Sequence, residues 1–164
     1  MGKSSTKKTN AMRTLDRLRI AYSVLPYEYA EQDYGTDAVA EQVGLLPSQV
    51  FKTLVLTAGG ESELAVCCLP VDKRLDLKAL AAAAGEKRLQ MLAPAQLLQS
   101  TGYVRGGCSP IGMKRPYPTF ADIALSEQPE IAINAGQRGL LLWLSSRDLM
   151  GLLQIYIGHF VQVD

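Results

Sequence analysis

Histidine occurs once in these 164 residues, at position 159, and cysteine three times. Each shortage excludes a chemistry. A soluble zinc site gathers about three or four His, Cys or carboxylate ligands at short spacings. Here Cys67 and Cys68 are adjacent, Cys108 stands alone, and no C-x-x-C or H-x-x-x-H pair exists. Neighbours on a strand point to opposite faces, so Cys67 and Cys68 cannot hold one ion together. An odd, sparse cysteine set with no signal peptide ahead of it reads as reduced thiols and a cytoplasmic location. Triads built on serine or cysteine normally take histidine as their base. The lone His159 sits five residues from the C-terminus in an apolar stretch and reads as a structural or rim residue. An enzyme made of this chain works with lysine, backbone amides or groups on its own substrate. No apolar run approaches the roughly 20 residues that span a bilayer. Neither a metal, a cofactor nor a membrane is expected.

Charge of either sign is also lacking in net: 17 basic residues stand against 16 acidic ones, for +1 overall. The balance hides two basic segments. Residues 1–20 carry six basic side chains against Asp16 alone, and residues 87–121 carry five with no acid at all. Either could face phosphates, or simply be a solvated surface. The chain is one domain long, and 48% hydrophobic residues suffice for one sizeable core.

Residues 1–8 read as a flexible basic tail. Thr9 or Asn10 then caps a helix with Ala11, Leu15, Leu18 and Tyr22 on its apolar face. Strands are predicted at 23–29, 50–57 and 63–71, the last two joined as a hairpin through a turn at 58–61. Asp76 caps an alanine-rich helix that ends at Gly85, with Leu77, Leu80, Ala81 and Ala84 inward. Further strands are predicted at 87–92, 119–123, 130–134, 139–144 and 155–163. Short helices are predicted over 35–44, 94–102 and 145–153. Strands and helices alternate without a βαβ rhythm, which favours an α+β fold.

The most unusual stretch is 103–112, Tyr-Val-Arg-Gly-Gly-Cys-Ser-Pro-Ile-Gly. Gly106, Gly107 and Gly112 allow positive φ and close approach to a ligand, and successive amides in such a turn can converge on an oxyanion. A second polar glycine loop spans 134–139. Lys52 lies in a strand that is apolar on both faces, either as a rim lysine with a buried stem or as a cation held in a pocket. Asp148 follows Ser145 by three, the spacing of a helix-capping arrangement.

Taken in order, these pieces resemble the YbaK/EbsC family, relatives of the editing domain inserted in bacterial prolyl-tRNA synthetases. The resemblance rests on Thr9-Asn10-Ala11 with Leu15, then Tyr27, then Phe51-Lys52-Thr53-Leu54. It continues through 103–112 with Lys114, and ends with Ala135-Gly136-x-Arg138-Gly139. It implies one domain over 9–164, α+β, with a mixed, strongly curved, barrel-like sheet flanked by short helices. The implied activity is a trans-acting deacylase that removes cysteine from mischarged tRNA(Pro), the substrate thiol attacking its own ester. Implied partners are mischarged tRNA(Pro) and prolyl-tRNA synthetase. The alternatives are an alanine-specific deacylase and a non-catalytic tRNA- or synthetase-binding module. Carried over by position, Lys52, Gly106 and Gly107 are the catalytic residues, while Tyr27, Thr53, Ser109, Pro110 and Asp148 bind substrate. One departure stands out: Leu140, Leu141 and Leu142 occupy a strand where related sequences often carry a hydroxyl residue.

Overall fold

The Thr9 hydroxyl accepts a hydrogen bond from the Met12 amide and so starts α1, Asn10–Arg17. Residues 7–59 and 63–163 are described by a computed structural model. Residues 1–6 of the expected tail and residues 60–61 of the expected turn lie outside the described residues. Leu18 caps α1 and Arg19 takes a left-handed φ of 58°, which breaks the helical period. Leu18 is therefore 48% exposed rather than inward, and the buried face is Ala11, Met12 and Leu15. Tyr22 turns back and donates its hydroxyl to Asp16.

Two open sheets make up the β structure. One holds β1 (Ser23–Pro26), β7 (Leu140–Ser145) and β6 (Glu130–Asn134), in the order β1-β7-β6 and antiparallel throughout. The other runs β4 (Gln90–Met91), β2 (Phe51–Thr57), β3 (Leu64–Pro70), β5 (Thr119–Asp122), β8 (Tyr156–Gly158). Its β4-β2 and β2-β3 pairs are antiparallel, and β3-β5 and β5-β8 parallel. The sheets meet through a parallel bridge between Val50 and Ala132. Both keep free edges, so the expected barrel-like closure is not formed among the described residues.

Three predicted strands are shorter than expected, two of them because their ends are bonded elsewhere. Past Pro26, the Glu28 amide and carbonyl are taken by the Gln42 side chain. Past Gly158, the Phe160 amide donates to Asp122 and its carbonyl accepts from Asp76. The stretch 87–92 contributes only Gln90 and Met91 to a strand. Helices follow their local signals more closely. Gly44, Gly85 and Gly102, all at positive φ, end α2 (Ala38–Val43), α3 (Leu77–Ala84) and α4 (Pro94–Thr101). Asp76 accepts from the Ala79 amide to start α3, though Leu77 is 40% exposed. Ser145 accepts from the Asp148 amide to start α5, Ser146–Leu153. The main core packs Leu15, Phe51, Ile111, Ile131, Leu142 and Leu149 between α1, α5 and the two sheets.

What matters for a site is how β2 is flanked. On one side β3 pairs with it along its whole length. On the other, β4 pairs only with Leu56 and Thr57, the Leu92 amide donates to Val55, and β6, though packed close by, bridges only to Val50. Between those pairings residues 51–54 are bridged to no strand on that edge among the described residues. An unpaired strand edge presents backbone donors and acceptors to whatever lies beside it. That notch is where the cavity lies.

Candidate functional site

A cavity with a free volume of about 50 Å³ fills the notch. Phe51, Lys52 and Thr53 supply one wall, Gly106 and Cys108 a second, and Asn134 and Leu141 a third. Tyr27, Tyr29 and Tyr34 close it from the segment that follows β1. Lys52 is the one charged side chain in the lining among the described residues, and it forms no salt bridge there. Burial pushes its pKa below the usual lysine value, with Asp72 and Arg74 acting on it in opposite senses.

Two phenols and one thiol of the lining are held neutral. Burial raises the pKa of the Tyr27 and Tyr34 phenols, and pushes the Cys108 thiol up to about 12. Neither a carboxylate nor a histidine lines the cavity among the described residues; His159 is exposed, and α5 carries Asp148 into solvent. A thiol held protonated is a poor nucleophile, so Cys108 is wall rather than reagent. No helix is long and apolar enough to cross a membrane, and no group of His, Cys, Asp or Glu among the described residues could hold a metal ion.

The two glycine loops are fastened to each other by a residue that sequence reasoning did not single out. Asn134 Nδ2 donates to the Gly106 carbonyl at 2.9 Å. Its Oδ1 accepts from the Gly136 and Gln137 amides at 2.7 and 3.1 Å. Arg138 Nε adds a bond to the Arg105 carbonyl at 2.8 Å. Gly106 sits at φ +84°, and a Cβ there would lie 2.7 Å from the Tyr29 ring. A Cβ on Gly107 would lie 3.0 Å from the Arg138 amide nitrogen. Both glycines are thus required by close approach, and Gly106 by its positive φ as well. The same loops hold the tyrosines: the Arg138 guanidinium lies 5.0 Å from the centre of the Tyr29 ring, and that of Arg105 lies 4.8 Å from Tyr34.

The structure brings Lys52, Thr53, Gly106 and Tyr27 together around one cavity. Gly107 packs behind it against the second loop, and its amide is engaged by the Val104 carbonyl at 2.9 Å. Ser109 is fully buried with its hydroxyl accepting from the Ile111 amide, so it shapes the turn. Pro110 faces a different depression, beside α1. Asp148 lies in the first turn of α5, outside the cavity lining. Tyr29, Tyr34 and Asn134 also line the cavity. The sequence signal for Asn134 was its place at a strand end two residues before Gly136, where an Asx turn forms readily.

The chain is a single domain with an unpaired strand notch, one half-buried lysine and two interlocked glycine loops. A family model described as "Aminoacyl-tRNA editing domain" matches residues 30–152, and the chain belongs to that family. It is 36% identical over 161 residues to the "Putative Cys-tRNA(Pro)/Cys-tRNA(Cys) deacylase EbsC" of Enterococcus faecalis, covering 98% of this chain and 96% of that protein. It is 30% identical over 127 residues, 76% of each chain, to the "Multifunctional Ser/Thr-tRNA deacylase ProXp-y" of Escherichia coli. The fold is shared with the structure titled "Crystal structure of a putative trans-editing enzyme for prolyl tRNA synthetase". That match has a TM-score of 0.79 at 23% identity, covering 94% of this chain and 96% of that one.

Proposed function

We propose that this protein is a trans-acting aminoacyl-tRNA deacylase that removes cysteine from mischarged tRNA(Pro). The observation that carries this reading is a cavity of about 50 Å³ lined by one lysine and no side-chain base. A pocket with so little room suits a small amino-acid side chain. A lining without histidine or carboxylate leaves the substrate to supply the nucleophile.

In the reaction proposed, the substrate's sulfur forms a bond to its own ester carbonyl carbon. The bond from that carbon to the 3′-terminal ribose oxygen breaks, and the thiol proton ends on the departing oxygen. The four-membered thioester left behind is opened by water to free cysteine. The protein's part is to hold the aminoacyl group in attack geometry and to stabilise the oxyanion. Because the Gly107 amide is already engaged, the amides of Gly106 and Cys108, which flank it, take the carbonyl oxygen. Lys52 anchors the terminal ribose or phosphate, with Tyr27 and Thr53 shaping the side-chain pocket.

Parallel deacylation of cysteinyl-, alanyl- and seryl-tRNA(Pro) tests the reading. Cysteine released far faster than serine supports the thiol route, since oxygen is the poorer nucleophile at neutral pH. Comparable rates on serine favour a second reading, a deacylase for small hydroxy amino acids, which the similarity to the Ser/Thr-specific relative supports. No release from any of the three refutes both.

A further inference from the structure

Arg13 and Arg17 of the first basic segment and Arg115 of the second line one groove, although about a hundred residues of chain separate them. The groove has a volume of about 600 Å³, and it is distinct from the amino-acid cavity. No acidic side chain lines it among the described residues. The one acid of α1, Asp16, is already engaged by Lys8 and the Tyr22 hydroxyl. Arg17 and Arg115 are exposed and form no salt bridge among the described residues.

From this geometry we infer that the groove is the docking surface for the phosphate backbone of an RNA duplex, the acceptor stem that carries the ester. The inference rests on the deacylase reading for the identity of that RNA. Arg13 and Arg17 are four residues apart on a helix, which sets their Cβ atoms about 5–6 Å apart on one face. That is close to the spacing of successive phosphates along one strand. Met113, Pro116 and Tyr117 form the floor beside Arg115. A lining whose charged side chains are all basic, with no interleaved acid, suits a uniform polyanion better than a protein surface, which mixes both signs.

The groove also connects to the site. Within a single loop, Gly106 and Cys108 face the amino-acid cavity while Pro110 and Gly112 face the groove. At the other end, Thr9 beside the groove donates its hydroxyl to the Ala135 carbonyl, next to Asn134 of the cavity wall. A duplex lying along α1 would deliver its 3′ end over the two glycine loops.

The test compares wild type with Arg17→Gln/Arg115→Gln and with Arg17→Glu/Arg115→Glu, neither side chain being tied to the fold by a salt bridge. Binding of an uncharged acceptor-stem RNA hairpin is measured against salt. Hydrolysis of cysteine methyl ester by the same proteins reports the cavity. The Gln pair should weaken RNA binding at least tenfold and lower the salt slope by about 1.4–1.8, with the ester rate unchanged. The Glu pair should weaken it further. Unchanged RNA affinity and slope in both pairs overturn the groove, as does loss of binding to prolyl-tRNA synthetase with RNA binding intact. If wild type releases no amino acid from tRNA, the deacylase reading fails while the hairpin measurement still judges the groove.

Discussion

Replacing Asn134 with alanine tests whether the two glycine loops work as one unit. The substitution removes one donor to the Gly106 carbonyl and one acceptor shared by the Gly136 and Gln137 amides. Gln137 is exposed, so its amide regains water, but Gly106 is buried and Gly136 partly so. Two of the three bonds therefore count, at a net cost of about 1–3 kcal/mol. For a chain of this size that lowers Tm by roughly 3–10 °C. Freed from Asn134, Gly106 has no side chain holding its carbonyl, and a shift of about 1 Å at a positioned site costs about a hundredfold in rate. The assay pairs thermal melting with single-turnover deacylation of cysteinyl-tRNA(Pro). Asn134→Asp keeps both acceptor contacts but sets a carboxylate oxygen against the Gly106 carbonyl in place of the donor, so it should be slow as well. An Asn134→Ala variant that melts within about 1 °C of wild type and turns over at full rate refutes the reasoning.

Lys52→Met should retain the fold and lose roughly 10- to 150-fold in deacylation rate, the worth of one charge-assisted hydrogen bond. The folded-state pKa of Lys52 lies below 10.5, so between the two values the unfolded chain binds more protons at this site and its contribution to stability rises with pH. Buried Tyr27, Tyr34 and Cys108 act in the opposite sense, so melting curves should show stability falling overall across that window, and more steeply in Lys52→Met than in wild type. Gly106→Ala combines positive-φ strain of about 1–2 kcal/mol with a contact against the Tyr29 ring. Gly85→Ala, at φ +74° with nothing within 4 Å, carries the strain alone, so Gly106→Ala melting no lower than Gly85→Ala would argue against the contact. Cys108→Ala should keep its turnover, since the thiol is protonated at neutral pH, and total loss of activity would make that sulfur a reagent after all. Asp148→Ala should cost about 0.3–1 kcal/mol at the start of α5 and leave the deacylation rate alone; a collapse in rate without a change in Tm would return Asp148 to the site.

Local chemistry was legible in the sequence because it acts within a few residues. Thr9, Asp76 and Ser145 mark helix starts through bonds to amides three positions on. Gly44, Gly85 and Gly102 end helices by taking positive φ, and the β2-β3 hairpin follows from two apolar runs around a turn. The scarcity of histidine, and the lysine standing in an apolar strand, are likewise facts of composition and order. Only the tertiary structure decided where β4 and β6 stop along β2, since each pairing joins segments tens of residues apart. The notch left between them makes the cavity, and it turns Lys52 from an ambiguous rim residue into the lone charge of its lining. The same long-range packing ties Asn134 to Gly106 and sets Arg17 beside Arg115. A near-neutral charge count could not reveal either, because net charge sums over the chain whereas a binding surface depends on which charges the fold makes neighbours.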